Sequence, residues 1–238
     1  MTALLIKKMA NGLAPWSLTP LHHLSLRDQA YELIKEAIAS IDIYGTGETL
    51  RLDERQLIAD LGVSRTPVRE ALTLLEQEGF VRTIPRRGIF IVKKSKRDII
   101  EMVELWAALE SMSARLATLR APDSELRNLR ALFKDFLKSS PQDNIDEYSD
   151  ANIAFHRAII RLGGSELIEK ITRNLFIHIG AIRRVTIRHR DRAHRSIADH
   201  LNIIEALETR NTAMAEQLTR EHTLGLAQHI DQFCDFLD

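Results

Sequence analysis

The chain has 238 residues, 45% of them apolar and 28% charged, and its 33 basic and 33 acidic side chains cancel to a formal charge of zero. That length suits two domains of ordinary size, and the apolar fraction is enough for packed cores. One cysteine, Cys234, excludes an intrachain disulfide framework and a cysteine-built zinc site; no apolar run approaches a membrane span, and that of the N-terminal MTALLIKKMANG is too short for a signal peptide, so a soluble, cytoplasmic protein is expected.

The charge is unevenly spread. Residues 1–97 hold 15 basic and 11 acidic side chains, a net of +4, which leaves −4 for the remainder. A basic front on an acidic back is the pattern of a phosphate-binding module joined to a non-binding one.

Residues 1–24 contain Pro15 and Pro20 and no sustained period, and read as a mobile arm. From Leu26 apolar residues recur at helical spacing through Ile34 and Ile38 to Ile41, and Tyr44-Gly45-Thr46-Gly47 ends that helix. Asp53 is placed as an N-cap, with Gln56 three residues on and Leu52 and Leu57 as a hydrophobic staple. This short second helix stops at Leu61-Gly62. A third starts at Ser64 to Pro67, with proline in the first turn, and runs to Gly79. Phe80–Ile84 and Ile89–Val92, joined by Pro85-Arg86-Arg87-Gly88, read as a β-hairpin.

Residues 93–97, KKSKR, read as a polar linker between residues 25–92 and residues 98–238. Beyond it only helical periodicity is found, in six expected helices at 97–120, 123–139, 144–162, 165–190, 192–208 and 211–236. The predicted fold class is therefore mostly α: three helices and a hairpin, then an all-helical bundle.

The helix pair around Gly62 presents Arg65 and Arg69 one turn apart, beside a stripe of Val68, Ala71, Leu72 and Leu75 that must be buried. This is the layout of a recognition helix, whose first turn enters the major groove where arginine pairs with guanine. Ser64 and Thr66 suit phosphate oxygens, and Arg55 is placed to reach the DNA backbone. Arg86, Arg87 and Gly88 would form a wing along the minor groove. Any one of these arginines read alone is more simply a solvated surface charge; helix, turn, helix and basic hairpin in this order are more specific.

The stretch RLDERQLIADLGVSRTPVREALTLLEQEGFVRTIPRRGIFIV resembles the winged helix of the GntR family of bacterial repressors, over roughly residues 26–93. The resemblance implies DNA contacts at the positions of Arg55, Arg65, Arg69 and Gly88.

In the second half His156, His200 and His222 fall on three different expected helices, with Asn152 one turn before His156. Spacing leaves open whether they meet at a divalent metal or serve as separate core histidines. Residues 98–236 resemble the FCD ligand domain that accompanies one GntR subfamily. That resemblance implies a divalent metal, such as zinc, nickel or manganese, on Asn152, His156, His200 and His222, and a small carboxylate effector beside it. Two departures stand out. Asn152 replaces the usual aspartate and brings no charge, and Trp106 stands where an effector-binding arginine is common. Trp106 is either a ligand surface or a packed core residue. His178, on the stripe of Ile171, Leu175 and Ile182, either lines the effector cavity or is a satisfied core histidine; Arg184 or Arg188 is expected to turn toward an anionic ligand.

The expected function is a ligand-responsive regulator, a repressor by the resemblance, binding a pseudo-palindromic operator as a homodimer. The alternative is a regulator for which the metal itself is the signal. No HExxH and no paired Glu-x-x-His motif argues for an enzyme.

Overall fold

The computed structural model describes residues 25–45, 49–137, 145–189 and 192–237. The expected arm at 1–24 lies outside the described residues, as do Thr46 and Gly47.

Helix α1 (Leu26–Ser40) starts at Ser25, whose hydroxyl accepts from the Asp28 amide at 3.1 Å, and buries Ala30, Ile34 and Ile38 at four-residue spacing. Helix α2 (Glu54–Leu61) is capped by Asp53, which accepts from the amides of Arg55 at 2.8 Å and Gln56 at 3.2 Å. The cap is one-sided, because the Gln56 amide donates to Asp60 at 2.6 Å instead of reaching back. Leu52 and Leu57 pack against the same core. Gly62 ends α2 with φ +63°, a left-handed conformation that glycine adopts without a Cβ penalty. Helix α3 (Arg65–Gln77) buries Val68, Ala71, Leu72 and Leu75.

The hairpin forms from β2 (Val81–Ile84) and β3 (Gly88–Ile91), paired antiparallel with Arg82 opposite Phe90 and Thr83 opposite Ile89. A strand the sequence did not suggest, β1 (Arg51–Leu52), pairs with the other side of β3, giving the order β1-β3-β2. Two residues are too few for alternation to register, and Leu52 also fits a hydrophobic staple.

Helix α4 (Lys96–Arg120) begins inside the expected linker. Ser95 and Asp98 form a reciprocal capping box that draws the helix start forward. The expected helix 123–139 is broken into α5 (Asp123–Asn128) and two 3₁₀ turns, Leu129–Phe133 and Asp135–Leu137. Its buried Leu126 and Leu129 are three residues apart, a spacing that α and 3₁₀ turns serve equally. Helices α6 (Ile145–Leu162), α7 (Glu166–Thr186), α8 (Arg192–Glu208) and α9 (Thr212–Phe233) complete the bundle, with α9 packed along α4.

Among the described residues, buried apolar side chains form two clusters. The distal one joins α4, α5, α6, α8 and α9 around Phe133, Tyr148 and Phe155. The other runs without a break from Ile34, Val68 and Phe80 of the winged helix into Ile99, Trp106, Phe176 and Ile182 of the bundle.

Candidate DNA interface and candidate metal centre

The first turn of α3 is solvent-facing on one side. Ser64, Arg65, Thr66 and Arg69 are exposed, and the side chains of Arg65 and Arg69 are 68% and 67% accessible. Glu54 lies 3.7 Å from Arg65 and 3.9 Å from Arg69, loose exposed pairs that contribute little and are readily exchanged for phosphate or base contacts. Ser64 is the N-cap residue but makes no side-chain cap bond. Arg55 is exposed at the start of α2.

At the hairpin tip the Arg87 amide donates to the Ile84 carbonyl at 3.0 Å, closing a turn with Pro85 and Arg86 at its centre. Arg86 has φ +64°, a left-handed conformation costly for a residue with a Cβ. Gly88 has φ +115°, and a Cβ there would lie 2.7 Å from Arg51 Nε. Arg51, which the sequence reading did not single out, thus lies against the wing, carried there by β1 pairing.

The histidine cluster lies deep in the bundle. His156 on α6, His200 on α8 and His222 on α9 each offer one ring nitrogen, and these atoms all lie within 4.8 Å of one another. His200 Nε2 and His222 Nε2 are 3.1 Å apart, close to the roughly 3.3 Å between two nitrogens on one tetrahedral zinc ion. Two further groups orient the rings. His156 Nδ1 is 2.5 Å from Glu110, whose other oxygen accepts from Thr223 at 2.8 Å. His222 Nδ1 is 3.0 Å from Asp199. Each side-chain carboxyl group holds Nδ1 and leaves Nε2 to the cluster, the arrangement of metal-binding histidines. His156 Nε2 and Asn152 Oδ1 are buried with no hydrogen-bond partner, while Asn152 Nδ2 donates to Ser196 at 3.0 Å.

Burial lowers the pKa of all three histidines, the positive charge of Arg183 adds to this at each, and the Asp199 hydrogen bond opposes it at His222. They stay neutral, as metal ligation requires. Burial drives the Glu110 carboxyl the other way, up to about 8. The donor set therefore fits a borderline divalent ion: three neutral imidazoles, an amide oxygen one turn from His156, and oriented rings. Glu110 and Asp199 were missed because nothing in their spacing ties them to the histidines.

Trp106 is fully buried with its ring edge-on to His156, centroids 4.8 Å apart, and 5.3 Å from Phe176. Its indole Nε1 has no partner. His178 and Arg184 are not brought to the cluster. His178 Nδ1 meets the Tyr44 hydroxyl at 3.0 Å and its ring stacks on Phe80 at 5.6 Å, both in the winged helix. Arg184 donates to the Ala39 carbonyl in the last turn of α1 at 2.6 Å. It lines a groove of about 780 Å³ between α1, α6 and α7 that none of the three cluster histidines lines. Both reach from α7 toward the winged helix rather than toward the cluster. Arg188 pairs with Asp146.

An exposed recognition helix and wing on a helical bundle with a buried polar centre define a two-part DNA-binding regulator. Residues 26–91 match the model for bacterial regulatory proteins of the gntR family, and residues 101–225 match the FCD domain. The chain belongs to the GntR family of transcriptional regulators, in the group that carries an FCD domain. It is 31% identical to the Nta operon transcriptional regulator of Aminobacter aminovorans over 79% of this chain and 86% of that protein. It is 27% identical to the Uxu operon regulator of Haemophilus influenzae, over 87% and 82%, and 23% identical to the transcriptional repressor RspR of Escherichia coli, over 76% and 79%. The fold is shared with E. coli McbR/YncC (TM-score 0.72, 20% identity, 90% of this chain and 100% of that one) and with a GntR regulator of Rhodococcus sp. RHA1 (0.65, 24%, 88% and 99%). The matched families and these named relatives are transcriptional regulators, not enzymes. Among the described residues no helix is long and apolar enough to cross a membrane.

Proposed function

We propose that this regulator is a repressor that binds a pseudo-palindromic operator as a homodimer and responds to a small molecule held at the histidine cluster beside a divalent metal. Arg65 and Arg69 read base edges in the major groove, Ser64 and Thr66 hold phosphates, and Arg86 and Arg87 follow the minor groove. Asn152, His156, His200 and His222 hold the metal, which supplies a Lewis-acidic point for an oxygen of the effector. The repressor sense is supported by the name of RspR, and operator control by the names of the Nta and Uxu relatives.

The observation that carries ligand response is the placement of α7. One face of this helix carries Phe176, packed on Trp106 beside the cluster. Other faces carry Asn174, His178 and Arg184, bonded to Lys35, Tyr44 and Ala39 of the winged helix. A ligand that repositions α7 acts directly on the DNA-binding half, and its effect is bounded by its difference in affinity for the two arrangements. The test pairs metal analysis of wild type, His156→Ala and His200→Ala with operator selection from the promoter region beside the gene. Stoichiometric metal lost in both variants, with salt-dependent operator preference kept, is expected. Absence of metal would remove the ion from this reading, and absence of operator preference would remove the whole of it.

A further inference from the structure

Lys35, on α1, is 7% exposed, and a desolvated ammonium is costly unless its donors are met. Here all three have acceptors. Nζ donates to the Tyr31 hydroxyl one turn back, to Glu78 Oε2 at 2.8 Å and to Asn174 Oδ1 at 2.7 Å. The rings of Tyr31 and Phe80 close around it, with centroids 4.6 and 4.9 Å from Nζ. Tyr31 also donates to Glu78, at 2.7 Å. Burial raises the Glu78 pKa, but the bonds from Lys35 and Tyr31 outweigh it and hold the carboxyl below its ordinary value, so Lys35 and Glu78 form an ion pair at neutral pH.

Tyr31, Lys35 and Glu78 belong to the winged helix, whereas Asn174 comes from α7 of the bundle. Its amide meets the ion pair with both ends: Oδ1 accepts from the cation, and Nδ2 donates to Glu78 Oε2 at 3.2 Å. The flipped amide would set N–H against ammonium and C=O against carboxylate, so the pair dictates its orientation. Glu78 is the C-cap residue of α3. His178 and Arg184 reach the loop after α1 and α1 itself, but Asn174 reaches the recognition helix. At 1.5 Å per residue Arg65 lies about 18 Å from Gln77 at the other end of α3. A tilt of about 10° at the capped end therefore carries the first turn about 3 Å, close to the roughly 3.4 Å rise of one base pair.

We propose that Asn174 is a positioning residue for operator recognition: by clamping the Lys35–Glu78 pair it fixes the angle of α3 to the bundle, and so the half-site spacing that a dimer accepts. This deepens the proposed function and rests on its homodimer and pseudo-palindromic operator. It is independent of what the histidine cluster holds.

The test uses the full-length protein and its selected operator, remade with one base pair added to or removed from the centre. Either change turns one half-site by about 35° and shifts it by about 3.4 Å relative to the other. Fluorescence anisotropy reads affinity for the three DNAs. Wild type is expected to lose about tenfold or more on either altered spacing, and Asn174→Ala about threefold or less. Asn174→Asp, which keeps the size but sets a carboxylate against Glu78, should behave like Asn174→Ala. Thermal unfolding should stay cooperative in both, because the apolar core shared by α1 and α7 is untouched.

A rescue separates the clamp from a general structural role. Glu78→Gln combined with Asn174→Asp moves the negative charge from α3 to α7 and the amide the other way, so Lys35 still meets a carboxylate beside an amide. The double variant should regain the wild-type penalty, while Glu78→Gln alone should not. An Asn174→Asp protein as strict about spacing as wild type would overturn the proposal, as would a double variant no stricter than Asn174→Asp. Tighter binding of every spacing by Asn174→Ala would make the contact inhibitory and also overturn it. A wild type that prefers its operator but tolerates every spacing removes the clamp alone, whereas one with no operator preference removes the proposed function and the clamp with it.

Discussion

Nδ1 of His178 lies 3.0 Å from the hydroxyl of Tyr44, joining the middle of α7 to the loop after α1. The same hydroxyl accepts from the Lys94 amide at 3.4 Å, so one tyrosine ties the bundle, the inter-domain segment and the winged helix together. A second tie lies nearby: Lys35 donates to Glu78 at 2.8 Å and to Asn174 at 2.7 Å.

Burial, and then the charge of Lys94, push the pKa of His178 down to about 4 from an ordinary 6.5. Between those values the unfolded chain holds the extra proton. The stability contributed by neutral His178 is therefore complete above pH 6.5 and is lost as pH falls toward 4, by roughly 3 kcal/mol. Denaturant unfolding of wild type and His178→Gln across this range checks it. The stability gap between them should shrink with acid, and a gap that stays constant would contradict the assignment.

Replacing Arg65 or Arg69 by alanine removes an exposed side chain and should leave Tm within about 1 °C. If the residue reads a base, discrimination between operator and scrambled DNA should fall by about 1–3 kcal/mol. Fluorescence anisotropy on both DNAs at several salt concentrations separates the cases, because a phosphate contact would weaken both alike and lower the salt slope by about one.

Arg86 holds a left-handed conformation at the wing tip. Arg86→Gly should raise stability by up to about 1 kcal/mol through relief of that strain, yet weaken operator binding. Thermal melts and anisotropy on one preparation decide it; tighter binding by the variant would exclude a DNA contact here.

Glu110→Gln keeps the shape beside His156 but replaces the carboxyl group that orients the ring. Metal affinity, measured by competition with a chromogenic chelator, should fall by about 10–100-fold. Affinity equal to wild type would place the ion elsewhere.

The DNA-binding half was legible because its signals are local: the Asp53 cap, Gly62, the α3 stripe and the turn at Pro85 lie within a few residues of the features they specify. The histidines were legible as residues, and their meeting followed only from the resemblance. The groups around them were not, since Glu110 and Asp199 acquire partners through helix packing rather than spacing. Arg183 is instructive. The sequence alone points to Arg184 or Arg188, yet Thr172, Phe176, Ile179 and Arg183 follow the three- and four-residue steps of one buried face. One residue along a helix is about 100° of rotation, enough to send Arg184 to the Ala39 carbonyl and Arg183 over Trp106.

The unbroken core from Phe80 to Ile182 bears on how such regulators can be recombined. A chimaera cut at the polar residues 93–95 would part Ile34 and Ile38 from the apolar surface of α7 that they share a core with, and leave Phe176 and Ile177 facing water or a mismatched graft. The transferable unit is the winged helix together with the α7 surface under it. A graft that carries both would keep its response, whereas one that carries only the matched DNA-binding segment would fold around a gap and bind its operator without listening.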